Sequence, residues 1–224
     1  MPITPQQPAS LKQGSDEWRR ARLGKITASR FSDILTQPRS KAAREAGELS
    51  GSARSYMLDI LAEILTGESQ DDFTSKATQW GNDWEPVACD VYAELTGLEV
   101  QEVGFVQHPD EPMIGGSPDR LIGDDGLLEV KCPYNTRVHL GYLIDGVLPK
   151  EHTAQVQGGL WLAKRKWAHF LSYTPHVGNL ALATFLVRVE RDEAYIRNLA
   201  EAVFRFRDTL LETLCRIKSR GGKV

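Results

Sequence analysis

Asp119, Glu129 and Lys131 lie close together in the stretch GGSPDRLIGDDGLLEVKCP. Residues two apart on a strand point to the same face, so Glu129 and Lys131 project together while Leu128 and Val130 turn away. Two carboxylates beside an ammonium suit metal-assisted hydrolysis of a phosphodiester. The carboxylates hold a hard divalent cation, the cation polarises the phosphate and activates water, and the lysine offsets charge on the attacked group. The competing reading is a pair of solvated charges on the wet face of an edge strand. Leu127, Leu128 and Val130 oppose it, because a strand apolar enough to be buried on both faces makes an unpartnered Glu or Lys costly. A loose Asp…Glu-x-Lys pattern recurs by chance too readily to decide the matter alone.

Other positions add to the three. Glu85, in QWGNDWEP, is placed to supply a further carboxylate from a helix that enters the strand region, although in isolation it reads as an exposed helix charge. Ser117 precedes Asp119 by two residues, which sets its hydroxyl near the same phosphate. Gln155 and Gln157, in AQVQGGLW, form a polar pair on an otherwise apolar helix, followed by two glycines that permit close approach. Arg22 and Ser29 bracket RLGKITAS, a basic helix end followed by a fresh helix N-terminus. Exposed amides beside an arginine make a natural phosphate receptor.

The elements that must carry these residues follow from periodicity and punctuation. Residues 1–14, rich in Pro and Gln, read as a loose arm. Ser15, Asp16 and Glu17 open a helix that Gly24 ends, and a second helix runs from near Thr27 or Ser29 to Pro38. The polar segment 39–52 reads as a surface loop. Helical spacing returns over Ala53–Leu65, closed by Gly67, and over Lys76–Leu95, closed by Gly97. The period then shortens, with strands expected over Glu99–Val106, Gly116–Ile122 and Leu127–Cys132. A helix over Thr153–Lys164, strands over Trp167–Tyr173 and Ala183–Glu190, and a helix over Asp192–Lys218 complete a single α/β domain spanning 1–224, with a mixed central sheet.

Composition narrows the classes. With 41% hydrophobic and 25% charged residues, the 224-residue chain is that of a soluble globular protein with no run long enough to span a membrane. Cys89, Cys132 and Cys215 are far apart and odd in number, which suits a reducing cytoplasm and offers no disulfide framework or zinc spacing. A net charge of −3 gives no bulk attraction to nucleic acid, but bound cations would reverse the sign locally. His108, His139 and His152 share no metal spacing, and most of the five histidines read as loop or surface groups; Trp80, Trp84, Trp161 and Trp167 read as core. The basic run Arg205, Arg207, Arg216, Lys218, Arg220 and Lys223 is either a solvated helix end or the lining of a DNA channel. Lys41, Arg44 and Arg54 are candidates for duplex contact.

RLGKITAS, Gly81-x-x-x-Glu85, SPDRL with LLEVKCP, and AQVQ occur in an order and spacing that resembles phage lambda exonuclease and its relatives, the YqaJ-type viral recombinase nucleases. The resemblance runs from about Glu17 to the C-terminal helix. It implies a restriction-endonuclease-like PD-(D/E)xK core and a homotrimeric ring around DNA. The implied activity is processive 5′→3′ degradation of one strand of linear duplex DNA to mononucleotides, leaving a 3′ overhang for recombination. By similarity, Asp119, Glu129 and the Val130 carbonyl hold one Mg²⁺, Asp119 bridges to a second, and Glu85 supports them, with Mn²⁺ as a substitute. Lys131 would position or activate water, and Arg22, Ser29, Ser117 and Gln157 would hold the terminal 5′ phosphate. A single-strand annealing protein is the implied partner, in a host cytoplasm. Two other readings stay open: a restriction- or repair-type endonuclease of the same fold, and a catalytically silent DNA-end-binding protein.

Overall fold

The computed structural model describes residues 11–70 and 75–221. Ser15 caps helix α1 (Asp16–Arg22) by accepting the Trp18 amide, and Asp16 and Glu17 fill the first turn, where the helix dipole favours negative charge. Strand β1 (Ile26–Thr27) leads through a 3-10 turn (Ala28–Arg30) into α2 (Phe31–Leu35). The segment 39–52, expected as a loop, is largely exposed but contains a short helix, α3 (Lys41–Glu45). Ser40 starts it by accepting the Ala43 amide. Ser50 caps α4 (Gly51–Thr66) and Ser75 caps α5 (Lys76–Thr96) in the same manner; left-handed Gly67 and Gly97 close them.

Five short strands follow: β2 (Val100–Glu102), β3 (Val106–Gln107), β4 (Ile114–Gly116), β5 (Arg120–Ile122) and β6 (Gly126–Lys131). Helices α6 (Thr136–Asp145) and α7 (Lys150–Ala163), strand β7 (Trp167–Tyr173), the short helix α8 (Leu180–Ala183), strand β8 (Thr184–Glu190) and helix α9 (Glu193–Gly221) complete the chain. The central sheet has the order β2-β5-β6-β7-β8, mixed because β6 and β7 run parallel while the other neighbours are antiparallel. A smaller sheet has the order β1-β4-β3.

The two expected strands over 99–106 and 116–122 are each divided between these sheets. The second break matters most. Pro118 has no amide to continue a ladder, so the chain leaves β4 at Gly116 and joins the central sheet at Arg120. Asp119 sits at that joint.

Both faces of the central sheet are covered. Leu128, Val130 and Leu171 pack with Ala88, Cys89 and Tyr92 of α5, while Leu127 and Phe170 pack with Tyr142 of α6 and Val156 and Leu160 of α7. A third cluster joins α2, α4, α7 and α9 through Phe31, Tyr56, Ile60, Leu162, Leu199 and Phe206. Each fully buried Leu or Phe stabilises by about 2 kcal/mol. Gly158 lets α7 approach this cluster: a Cβ there would stand 2.6 Å from the Phe31 ring. The α7–α2 contact thereby places Ser29 and Gln155 on neighbouring elements. Trp80, Trp84, Trp161 and Trp167 are partly buried against the clusters.

Two expectations are corrected. His139 is not a surface group: it is fully buried on α6, pairing through Nδ1 with Ser172 Oγ (2.8 Å) and through Nε2 with the Leu182 carbonyl (2.9 Å). Residues 1–10 of the expected arm lie outside the described residues, but Gln13 is tied down, its amide donating to the carbonyls of Val103 (2.9 Å) and Pro118 (2.7 Å). Arg207 is engaged by Glu111 and by Asp208 (2.6 Å); Lys223 lies outside the described residues. Among the described residues, no helix is long and apolar enough to cross a membrane.

Candidate active site

β6 carries the centre of the site. Glu129 is 3% exposed, and its Oε1 accepts from Lys131 Nζ at 2.6 Å and from the Gln155 side-chain amide of α7. The same-face reading of Glu129 and Lys131 therefore holds. Asp119, at the joint between sheets, accepts the Val130 amide at Oδ2 (2.6 Å), which fixes that joint against β6. Glu85 projects from α5 and faces Arg120, with Nη1 to Oε1 at 3.5 Å.

The three carboxylates crowd one another. Burial raises the Asp119 carboxyl well above its usual range; Glu129 and Glu85 add to the rise, against Lys131 and the Val130 amide. Burial likewise raises Glu85, with Arg120 opposing and Glu129 adding. For Lys131 burial acts downward, but Glu129 and Asp119 outweigh it and the ammonium is held above the ordinary lysine range. Acids that resist ionising together are what a divalent cation relieves, and an all-oxygen set suits Mg²⁺ or Mn²⁺. Among the described residues no three acidic, His or Cys side chains are already gathered as ligands. Asp119 is held by the Val130 amide, Glu129 by Lys131 and Gln155, and Glu85 by Arg120. Mg²⁺ takes few protein ligands and keeps several waters, so this set fits the ion without a closed cage. Cys89 and Cys132 do not join it: burial pushes both thiols up to about 12, leaving them protonated.

A cavity of about 110 Å³ adjoins Glu129 and is lined by Trp18, Arg22, Ser29, Ser117 and Gln155. Within it, Trp18 Nε1 and Arg22 Nη1 both donate to Ser117 Oγ, at 3.0 and 3.3 Å. Two donors on one hydroxyl oxygen leave its own proton free to be given away, into the cavity. A larger cleft of about 710 Å³, shared by Arg22 and Ser29, extends past Glu85 and Arg120. Arg22, Ser29, Ser117, Asp119, Glu129 and Lys131 are thus brought together, with Glu85 at the edge.

Gln157 is not. It is 4% exposed, its amide donates to the Glu190 carbonyl (2.9 Å), and its oxygen accepts the Asp192 amide (3.0 Å). Both ends tie α7 to the β8–α9 junction. The glutamine that faces the site is Gln155, two residues earlier and so on the other side of the helix. Trp18 and Arg120 are the members of the site that the sequence reading leaves out; it singles out Gln155 beside Gln157, but gives the phosphate-binding role to Gln157. The spacing of Trp18 and Arg22, four apart on α1, was a usable signal, since such residues share a helix face.

The model of the YqaJ-like viral recombinase domain matches residues 17–166. The alkaline exonuclease LHK-Exo of Laribacter hongkongensis is 34% identical, superposes with a TM-score of 0.83, and the match covers 93% of this chain and 99% of that one. A phage-related exonuclease of Haemophilus somnus 129PT, 19% identical over 86% of this chain and 96% of its own, has a TM-score of 0.68 and shares the fold. The uncharacterised protein R354 of Acanthamoeba polyphaga mimivirus is 25% identical over 175 residues, 72% of this chain; the match spans only 29% of that protein's length. The mixed sheet flanked by helices is the restriction-endonuclease-like arrangement that the family resemblance implied. With motif order, site geometry and fold in agreement, the chain belongs to the YqaJ-like viral recombinase family.

Proposed function

We propose that this chain is a metal-dependent deoxyribonuclease that degrades one strand of linear duplex DNA processively from its 5′ end, releasing mononucleotides and leaving a 3′ overhang for strand annealing. The observation that carries this reading is the donor-lined cavity at Ser117 directly beside Glu129. An end-dependent enzyme needs a receptor for the terminal phosphate next to its hydrolytic groups; an enzyme that cuts internally does not. The Laribacter relative has also been solved in complex with dAMP, a nucleoside monophosphate.

Asp119, Glu129 and the Val130 carbonyl would hold Mg²⁺, with Asp119 shared by a second ion and Glu85 in support. Such ions, when bound, polarise the phosphate and lower the pKa of a water. Lys131, kept cationic by Glu129 and Asp119, offsets charge on the attacked phosphate and orients Glu129. Gln155 fixes the same carboxylate from α7. Arg22 and the Ser117 proton receive the terminal phosphate, while Trp18 orients the hydroxyl and supports the Arg22 guanidinium, which lies 4.5 Å above its ring. Ser29, at the cavity rim, adds a further donor. Each cut exposes a new 5′ phosphate, whose capture draws the next scissile bond into place. A ring of three subunits and an annealing protein that coats the 3′ strand complete the proposed assembly.

The test compares linear duplex with covalently closed circular DNA, each in Mg²⁺ and in EDTA. Mg²⁺-dependent release of mononucleotides from the linear substrate, with the circle intact, is expected. Cleavage of the circle would establish an endonuclease instead, and end binding without cleavage would establish a silent DNA-binding protein.

A further inference from the structure

Arg120 has no part in the chemistry described above, yet it stands where cleft and carboxylates meet. Its side chain is 13% exposed and lines the 710 Å³ cleft. Nη1 donates to the Asp119 carbonyl at 2.6 Å and faces Glu85 Oε1 at 3.5 Å. Nη2 faces Glu102 Oε1 at 3.8 Å, across the β2–β5 ladder in which Glu102 and Arg120 are direct partners. The short bond to the backbone anchors the guanidinium, while its bonds to both carboxylates are long and easily exchanged.

Charge explains why an exchange is built in. Asp119, Glu129 and Glu85 face two cations, Lys131 and Arg120, and Arg120 is the one paired with Glu85. A divalent cation drawn to these carboxylates weakens the Glu85–Arg120 pair and adds positive charge beside the guanidinium. A planar five-donor guanidinium at the wall of a cleft is suited to a phosphate as its next partner.

We propose that Arg120 is a positioning residue with two alternative partners. It neutralises Glu85 while the site lacks metal, and it passes to a backbone phosphate of the DNA strand in the cleft once divalent cations engage Glu85. This rests on the nuclease reading above. The consequence is thermodynamic coupling: cation binding strengthens DNA binding through Arg120, and DNA strengthens cation binding by the same factor.

The test uses the full chain with Ca²⁺ as probe cation. Titration calorimetry follows Ca²⁺ binding without DNA, and fluorescence anisotropy follows a 5′-phosphorylated duplex in Ca²⁺ and in EDTA. Arg120→Gln is expected to bind Ca²⁺ about threefold more tightly, because a competing cation is gone. It is expected to lose about fivefold in DNA affinity in Ca²⁺ and little in EDTA. Glu85→Gln, which releases the guanidinium, should bind DNA more tightly than wild type in EDTA, and Arg120→Gln should abolish that gain in the double variant. Equal loss in both buffers for Arg120→Gln, or no gain for Glu85→Gln, overturns the proposal. Should Arg120→Gln fail to fold, Arg120→Lys and Glu85→Gln carry the same comparison. A wild-type protein that binds neither Ca²⁺ nor DNA ends would defeat the nuclease reading itself; wild-type binding with no Arg120-dependent coupling defeats only this inference.

Discussion

The two glutamines of α7 give a prediction whose halves point in opposite directions. Gln157→Ala removes two hydrogen bonds to main-chain groups, at about 1 kcal/mol each, and takes from the Glu190 carbonyl and the Asp192 amide their side-chain partner. With the small void added, a loss of about 3 kcal/mol is expected, which in a chain of this size lowers Tm by roughly 6–12 °C. Below that transition, the folded variant should retain its turnover and its preference for a 5′-phosphoryl end. Gln155→Ala removes a contact to Glu129 from a half-buried side chain, so Tm should move by no more than about 3 °C. Turnover should fall instead, by about tenfold, as Glu129 loses one of its two anchors. Thermal unfolding followed by circular dichroism, with initial rates on matched phosphoryl and hydroxyl ends, reads both quantities. A Gln157 variant with unchanged Tm but no phosphate preference would refute the placement.

Further outcomes follow from the same geometry. Lys131→Ala should lower turnover by about 10²-fold or more while duplex binding in Ca²⁺ is retained; near wild-type turnover would remove its assigned role. Gly158→Ala forces a Cβ against the buried Phe31 ring and should cost about 1–3 kcal/mol in urea unfolding, with reduced activity because Ser29 shifts. His152 is held down to about 4 by burial and by Lys131, with Glu151 opposing, so the folded state favours the neutral ring. That stability is present above about pH 6.5 and is lost as pH falls toward 4, by about 2 kcal/mol at pH 5. Unfolding at pH 7 and pH 5 should show the difference in wild type and a smaller one in His152→Gln.

Much of this arrangement was legible in the chain because its carriers are local. Glu129 and Lys131 share a face by the geometry of any strand, and Leu127, Leu128 and Val130 declare that strand buried on both sides. Ser15 announces the first helix by capping chemistry, and Gly67 and Gly97 mark the ends of two later ones. What was not legible depends on long-range contacts. Helix α6 escaped notice because Val138, Leu140 and Ile144 are exposed and leave no apolar stripe to read. Gln155 and Gln157 look alike in sequence, and only the docking of α7 against β6 and α9 decides which one meets Glu129. The break at Pro118 was visible as a residue, but that it passes Asp119 between two sheets follows from pairing, which no local pattern records.

The proposed activity depends on a terminal-phosphate receptor adjoining the hydrolytic carboxylates. Its most direct test is the ratio of initial rates at a 5′-phosphoryl and a 5′-hydroxyl end of otherwise identical duplexes, in wild type and in Arg22→Gln and Ser117→Ala. Wild type is expected to prefer the phosphoryl end by at least about tenfold, with the ratio falling toward unity in both variants. A wild-type ratio of one, or a preference unaffected by either substitution, would contradict that expectation.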